Sequence, residues 1–169
     1  PQIDMLYVVF DPVDGSLYRK SKYPAYKANR PPTDPDLARQ REVAKKVIED
    51  HIGIPCVSHP GYEADDIIGT LALRFSKFCK VEIHSSDKDF AQCISPRVKL
   101  MRPNMAIDES NVVEVFNVLP NAIQDYLAMI GDGVDNIPGI PGIGPGTAVK
   151  LLEEYGSLDA VIANVPKIK

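Results

Sequence analysis

GYEADDIIGTLALRFSKFCKVEIHSSDKDF, residues 61–90, decides the fold class. Ile67, Ile68, Leu71, Ala72 and Phe75 recur at helical spacing, so Glu63–Phe78 reads as a helix with acids in its first turn. Val81–Ser85 then reads as a strand, and Ser86-Asp87-Lys88-Asp89 opens a short helix. Working outward, Met5–Phe10 (MLYVVF) is a continuous apolar run ended by Asp11-Pro12, the pattern of a buried strand. Ile54–Ser58 is expected as a second strand and Val98–Met101 as a fourth. Asp36 is placed to cap a helix running to about His51, with Leu37, Val43, Val47 and Ile48 as an imperfect apolar stripe. Strands that alternate with helices predict an α/β fold with a parallel sheet.

From about residue 108 no further strand is expected. Helices near 108–116, 120–130, 145–155 and 157–164 follow, broken by a Gly/Pro-rich stretch at 131–146. The expected organisation is a sheet domain over 1–105, with a basic excursion at 14–46, and a helical module over 106–169. No internal repeat or low-complexity tract is present.

The chain has 169 residues, 44% hydrophobic and 25% charged, an ordinary globular balance that excludes a disordered or collagen-like chain. No apolar run reaches the roughly 20 residues that cross a bilayer, and no signal-peptide pattern opens the chain. Neither a membrane nor secretion is expected. Cys56, Cys79 and Cys93 are odd in number and lack CxxC spacing, which argues against a disulfide framework or zinc site and for a reducing compartment. The net charge of −4 hides a division: residues 18–46 carry nine Lys/Arg against three acids, so the rest is strongly acidic. Such a chain suits one place that meets a polyanion and another that gathers carboxylates, although a basic stretch is also compatible with a solvated helix face.

The acids fall at defined places. Asp11 follows one strand; Asp87 and Asp89 follow another; Glu63, Asp65 and Asp66 open a helix after a Pro-Gly turn. In a parallel α/β fold these are the carboxyl ends of strands, where sites form. Glu63 and Asp66 share a helix face, and Asp65 joins them only if the first turn is irregular. Asp132 and Asp135 sit three apart in the Gly-rich loop. Eight carboxylates brought together repel unless a cation lies among them, and hard divalent ions such as Mg²⁺ take such donors. Two ions about 4 Å apart activate water and stabilise the leaving oxygen of a phosphodiester. Taken singly, each acid also has a bland reading as a helix-dipole partner, a cap or a turn.

Residues 136–150, NIPGIPGIGPGTAVK, describe a tight hairpin leading into a helix with Pro145 at its first position. Backbone N–H groups beside a helix N-terminus suit phosphate, and a structural helix–turn–helix connection is the alternative. The stretch is neither a P-loop nor a dinucleotide-binding fingerprint.

In order along the chain, VVFDP (8–12), YPAYKANR (23–30), GYEADD (61–66), SSDKDFAQ (85–92) and GDGVDNIPGIPGIGPGTAVKLLEEYGSL (131–158) resemble the 5′-3′ exonuclease (flap endonuclease) domain of bacterial-type DNA polymerase I and its stand-alone relatives. The resemblance implies a PIN-like α/β nuclease with a parallel twisted sheet flanked by helices, followed by a helix–three-turn–helix module of helix-hairpin-helix type. It implies divalent-metal-dependent hydrolysis of DNA at 5′ flaps and ends in replication and repair, with two Mg²⁺ ions for which Mn²⁺ can substitute. Asp11, Glu63, Asp65 and Asp66 match the acids of the first ion, and Asp87, Asp89, Asp132 and Asp135 those of the second. Lys27 and Arg30 match the arch cations that meet the scissile phosphate, and Tyr26 matches a base-stacking position. Gly139, Gly142, Ile143, Gly144, Gly146, Thr147 and Lys150 match the hairpin and helix start that grip duplex backbone, with K⁺ at 139–144. The implied partners are 5′-flap or junction DNA and a fused or associated polymerase. A monomer is expected, in the bacterial cytoplasm or nucleoid, or in an organelle if the source is eukaryotic.

Two departures from the family pattern stand out. The family carries a strand with another metal-binding Asp before VVFDP, and nothing in residues 1–10 replaces it. The hairpin commonly continues Gly-x-Lys-Thr-Ala, where this chain has Gly146. The first departure gives a second hypothesis: a catalytically weak relative or fragment that binds junction DNA. A non-nuclease metal protein such as a phosphatase is a third, and the hairpin argues against it.

Overall fold

The computed structural model describes residues 3–12 and 17–167, so residues 14–16 of the expected basic excursion lie outside the described residues. The chain divides into two compact units, residues 1–70 and 71–169.

In the first unit, β1 (Val8–Val9) pairs in parallel with β2 (Cys56–Val57). The ladder is shorter than the apolar run Met5–Phe10 because only Val8–Phe10 faces a partner strand. Val8 N–H donates to Pro55 O at 3.0 Å and Phe10 N–H to Val57 O at 2.9 Å. Between them lie α1 (Leu17–Lys22), a run of turns over 23–30 and α2 (Pro35–Lys46). Asp34, not Asp36, caps α2: its carboxylate accepts the Asp36 N–H, and Pro35 fills the first helical position, where no N–H is needed. The helix continues as a π-helical turn, Val47–Ile52, closed by Gly53 at φ 78°. The expected stripe does not become a core. Leu37, Val43 and Val47 remain exposed, and among the unit's described residues only Tyr26 and Glu63 are buried.

α3 (Ala64–Phe75) starts in the first unit and its last turns belong to the second. In the second unit β3 (Val81–His84) pairs in parallel with β4 (Val98–Arg102). A 3₁₀ helix, Lys88–Cys93, connects them, capped by Asp87 accepting the Asp89 N–H. β5 (Met105–Ile107) adds antiparallel to β4, which the sequence reading missed. The connection is Pro103-Asn104, and Arg102 pairs with Met105 across this two-residue turn.

Helices follow: α4 (Val112–Phe116), a 3₁₀ turn Pro120–Ala122, α5 (Ile123–Ile130), α6 (Pro145–Tyr155), α7 (Leu158–Asn164) and a 3₁₀ turn Val165–Lys167. α5, α6 and α7 pack on one another. Their buried face is Ile123, Met129, Ala148, Leu151, Leu152 and Val161, and the strands bury Ile83, Val98, Leu100 and Ile107. At roughly 1.5–3 kcal/mol for each fully buried large apolar side chain, this unit holds the apolar core that the first lacks. All three cysteines are free. No described helix is long and apolar enough to cross a membrane.

Between α5 and α6, β6 (Gly131–Asp132) pairs antiparallel with β7 (Ile137–Pro138), so the hairpin begins before the expected stretch 136–150. Two glycines make it possible. A Cβ on Gly139 would lie 2.4 Å from the Ile130 carbonyl, and one on Gly131 (φ +75°) would lie 2.3 Å from the Gly139 nitrogen. Both are fixed by backbone-to-backbone approach. Gly146, in the first turn of α6, has open space around its Cβ position. Gly139→Ala is therefore expected to lower stability by on the order of 2–3 kcal/mol, the cost of overpacking against backbone. Gly146→Ala is expected to raise it by about 0.4–1 kcal/mol through the unfolded chain. Thermal or urea melts of the two variants check both signs.

Candidate metal centre and nucleic-acid interface

The first unit builds its acidic group at the start of α3. Asp11, just past β1, accepts the Ala64 N–H at 2.7 Å and so ties the strand end to the helix N-terminus. Asp66 reaches back to accept the Glu63 N–H at 3.0 Å, the return half of a capping box. Both acids thus hold local structure, as a cap or turn residue does; Asp11 keeps a second oxygen for other use, and Asp66 shares its capping oxygen.

Cations fill that use. Arg19, from α1, makes a two-pronged pair with Asp66 at 2.5 and 2.8 Å and stands 3.5 Å from Glu63. The hydrogen bond to Asp66 raises the Arg19 pKa, burial opposing it. Lys27 Nζ donates to Glu63 Oε1 at 2.8 Å, and the Tyr26 hydroxyl donates to Glu63 Oε2 at 2.9 Å. Glu63 is buried, a position a carboxylate holds only when paired and hydrogen-bonded. Lys27 reaches it from a left-handed backbone, φ 56°. Arg41 Nη2 lies 3.8 Å from the exposed Asp11 carboxylate.

This geometry corrects one expectation. Tyr26 is 4% exposed, its hydroxyl is held by Glu63, and Arg19 and Lys27 lie over its ring at 5.9 and 4.9 Å. Its ring is closed to a stacking base. Arg30, by contrast, is exposed.

In the second unit, the charges of Asp87, Asp132 and Asp135 act on Asp89. Burial pushes the Asp89 pKa up; the charges of Asp87, Asp132 and Asp135 push the same way, and Lys88 opposes them. Asp89 Oδ1 is buried without a hydrogen-bond partner. Asp132 goes the other way. Burial works against its charge, but Lys88 Nζ at 3.3 Å and the Val134 and Asp135 N–H groups hold its pKa below the ordinary value.

A buried acceptor with no donor, among like charges, fits a hard cation. So does the all-oxygen donor set of the first unit. Among the described residues no three His, Cys, Asp or Glu side chains already stand in chelating positions. Binding an ion therefore requires side-chain turns or water in part of the shell, the usual habit of Mg²⁺.

The sequence reading missed Arg19 and Lys88 as members of these groups. Arg19 had no local signal, since its partner is 47 residues away. Lys88, flanked by two aspartates, could have been read as their counter-charge. The other expected positions lie at the α6 start. Gly142, Gly144, Gly146, Thr147 and Lys150 are exposed and Ile143 half-buried. Gly142 takes φ +84°, and Gly144 caps α6 through its carbonyl, which accepts from Thr147 and Ala148. Gly139 is spent on the backbone approach described above.

Residues 1–117 match the family model of the 5′-3′ exonuclease N-terminal resolvase-like domain, and residues 118–169 that of the 5′-3′ exonuclease C-terminal SAM fold. The chain belongs to the 5′-3′ exonuclease family. It is 42% identical over 167 residues to a 5′-3′ exonuclease of Aquifex aeolicus, covering 97% of this chain and 57% of that protein. It is 43% identical over 171 residues to DNA polymerase I of Rhizobium leguminosarum, covering 97% of this chain and 16% of that one. The chain thus spans little more than half of the first relative and a small part of the second. The crystal structure of T5 D15 protein co-crystallised with metal ions superposes with a TM-score of 0.83 at 22% identity, over 95% of this chain and 65% of that one. The architecture is accordingly a resolvase-like, PIN-type α/β domain followed by a SAM-like helical module.

With divalent ions removed, Asp89→Asn is expected to stabilise the protein at pH 7. The sign follows from linkage. The folded pKa of Asp89 lies above the ordinary 3.8, so its charge works against the fold above that raised value. The advantage of the variant should shrink as pH falls through the folded pKa and vanish below 3.8. Melts in EDTA from pH 3 to 7 check it; a variant less stable at pH 7 contradicts it.

Proposed function

We propose that the protein is a divalent-metal-dependent, structure-specific 5′ nuclease that hydrolyses DNA phosphodiesters at 5′ flaps and ends by a two-metal-ion mechanism. The observation that carries this reading is the match of both family domains, end to end, over residues 1–169. Identity near 40% to proteins named 5′-3′ exonuclease and DNA polymerase I supports it. So does a T5 D15 flap endonuclease of the same fold, crystallised with DNA and metal ions.

Asp11, Glu63, Asp65 and Asp66 would hold one ion, and Asp87, Asp89, Asp132 and Asp135 the other, Mg²⁺ suiting these hard donors. The ions, when bound, supply Lewis-acid activation of water and charge neutralisation at the phosphate. The chain's own residues do the rest. Its carboxylates fix where positive charge sits, and no side chain serves as nucleophile. Arg30, which is exposed, would meet phosphate, and Lys27, which pairs with Glu63, would neutralise the charge that develops on it. The exposed start of α6 offers backbone N–H groups and Lys150 to duplex backbone. Residues 139–144 would hold K⁺ as part of this interface. The partners are flap or junction DNA and a fused or associated polymerase. We further assign the protein to a reducing, DNA-containing compartment and a monomeric state.

The test is cleavage of a 5′-flap DNA duplex with Mg²⁺, for the wild type and for Asp66→Ala and Asp89→Ala. Cleavage that needs the ion and falls at least about 100-fold in each variant is expected, the scale for losing electrostatic stabilisation of a transition state. Activity that survives both substitutions, or persists in EDTA, contradicts the mechanism. Junction binding with no cleavage at any Mg²⁺ or Mn²⁺ concentration points instead to a binding module.

A further inference from the structure

Arg19 grips a proposed metal-site acid with both arms. Its guanidinium engages both oxygens of Asp66 and lies 3.5 Å from Glu63, while Lys27 lies 2.8 Å from Glu63. Two cations on two carboxylates bring this part of the group close to neutrality. A carboxylate whose lone pairs are committed to a guanidinium cannot give the same lone pairs to a metal ion. Arg19 takes one lone-pair site on each Asp66 oxygen and the Glu63 N–H a second on Oδ2, so a divalent ion that needs more than the site left on Oδ1, and that is repelled by the adjoining guanidinium, competes with Arg19.

The attachment matters as much as the charge. Arg19 sits in α1, one turn from Lys22 and just before the turns carrying Lys27 and Arg30. The Tyr18 N–H donates to Gly61 O at 3.1 Å, and the Tyr18 and Tyr62 rings stack with centroids 5.4 Å apart. This anchor stays in place if the ion pair opens, so Arg19 can swing off Asp66 without α1 detaching.

We propose that Arg19 is a built-in counter-ion for Asp66, holding it in register without metal and being displaced when a divalent ion binds, so that ion loading releases the Arg19 guanidinium from the carboxylate. The proposal rests on the metal-dependent reading above. Arg19 acts through Asp66 and is a positioning residue. Binding of the ion and fixation of Arg19 are thermodynamically opposed: each weakens the other by the same factor. A role in which Arg19 merely braces Asp66 for the metal predicts the reverse sign.

The experiment is calorimetric titration of the protein with Mg²⁺ alone, without DNA, for the wild type, Arg19→Gln and Arg19→Lys. Side-chain NMR of the arginine guanidinium protons accompanies it, and thermal melts confirm folding. Arg19→Gln should bind Mg²⁺ about tenfold more tightly, within the usual span of coupling between sites. Arg19→Lys, which keeps the charge and loses the two-pronged fit, should fall between. In the wild type, the slowly exchanging guanidinium signal of Arg19 should be lost as Mg²⁺ is added. Equal or weaker Mg²⁺ binding by a folded Arg19→Gln variant, or an Arg19 signal indifferent to Mg²⁺, overturns the counter-ion proposal and leaves the nuclease reading standing. Absence of Mg²⁺ binding by the wild type overturns the metal-dependent reading itself, and this proposal with it.

Discussion

Negative charge gathered at strand and helix ends is the condition the rest of the molecule answers to. Carboxylates set close together raise one another's pKa and oppose folding unless positive charge is supplied. The first unit supplies it internally. Arg19 and Lys27 cover Asp66 and Glu63, and Tyr26 adds a hydroxyl to a carboxylate with almost no water. In the second unit Lys88 stands by Asp132, while Asp89 keeps a buried oxygen without a donor.

Several of these acids also hold the backbone together. Asp11 fastens β1 to the start of α3, Asp66 closes the first turn of that helix, Asp87 caps the 3₁₀ helix, and Asp132 accepts from two N–H groups of the loop after it. In Asp11 and Asp132 one carboxylate oxygen accepts backbone N–H and the other lies towards Arg41 or Lys88, whereas in Asp66 the same oxygen serves both the Glu63 N–H and Arg19. This double use explains why each acid, taken alone, reads as an ordinary cap or turn residue. It also means that alanine at these positions removes a cap worth typically about 1 kcal/mol as well as a charge. Asparagine isolates the charge better.

What the sequence made legible follows the range of the interactions involved. Helices α3 and α6, strands β3 and β4, and the glycine demand near residue 139 rest on periodicity and turn chemistry within a few residues, and they lie close to where they were expected. The resemblance of the motifs to the exonuclease family is matched by the family comparison over both domains. The misreadings are of two kinds. Asp34 rather than Asp36 caps α2, because Pro35 needs no donor; the β4–β5 hairpin turns at Pro103-Asn104, a local signal of the same kind. Tyr26 and Arg19 are different. Their roles depend on Glu63 and Asp66, 37 and 47 residues away, and no local pattern shows that an aromatic ring is buried or that a basic residue is paired. The apolar stripe on α2 is plain in the sequence, yet Val43 and Val47 are exposed in the fold.

The central claim is that both acidic groups are cation sites. Anomalous diffraction from crystals of the intact protein grown with Mn²⁺ addresses it most directly. The account predicts one peak against Glu63 and Asp66, with the Arg19 guanidinium turned away, and another against Asp89 and Asp132. Well-ordered crystals at millimolar Mn²⁺ with both carboxylate groups free of metal, Arg19 still seated on Asp66, would contradict it.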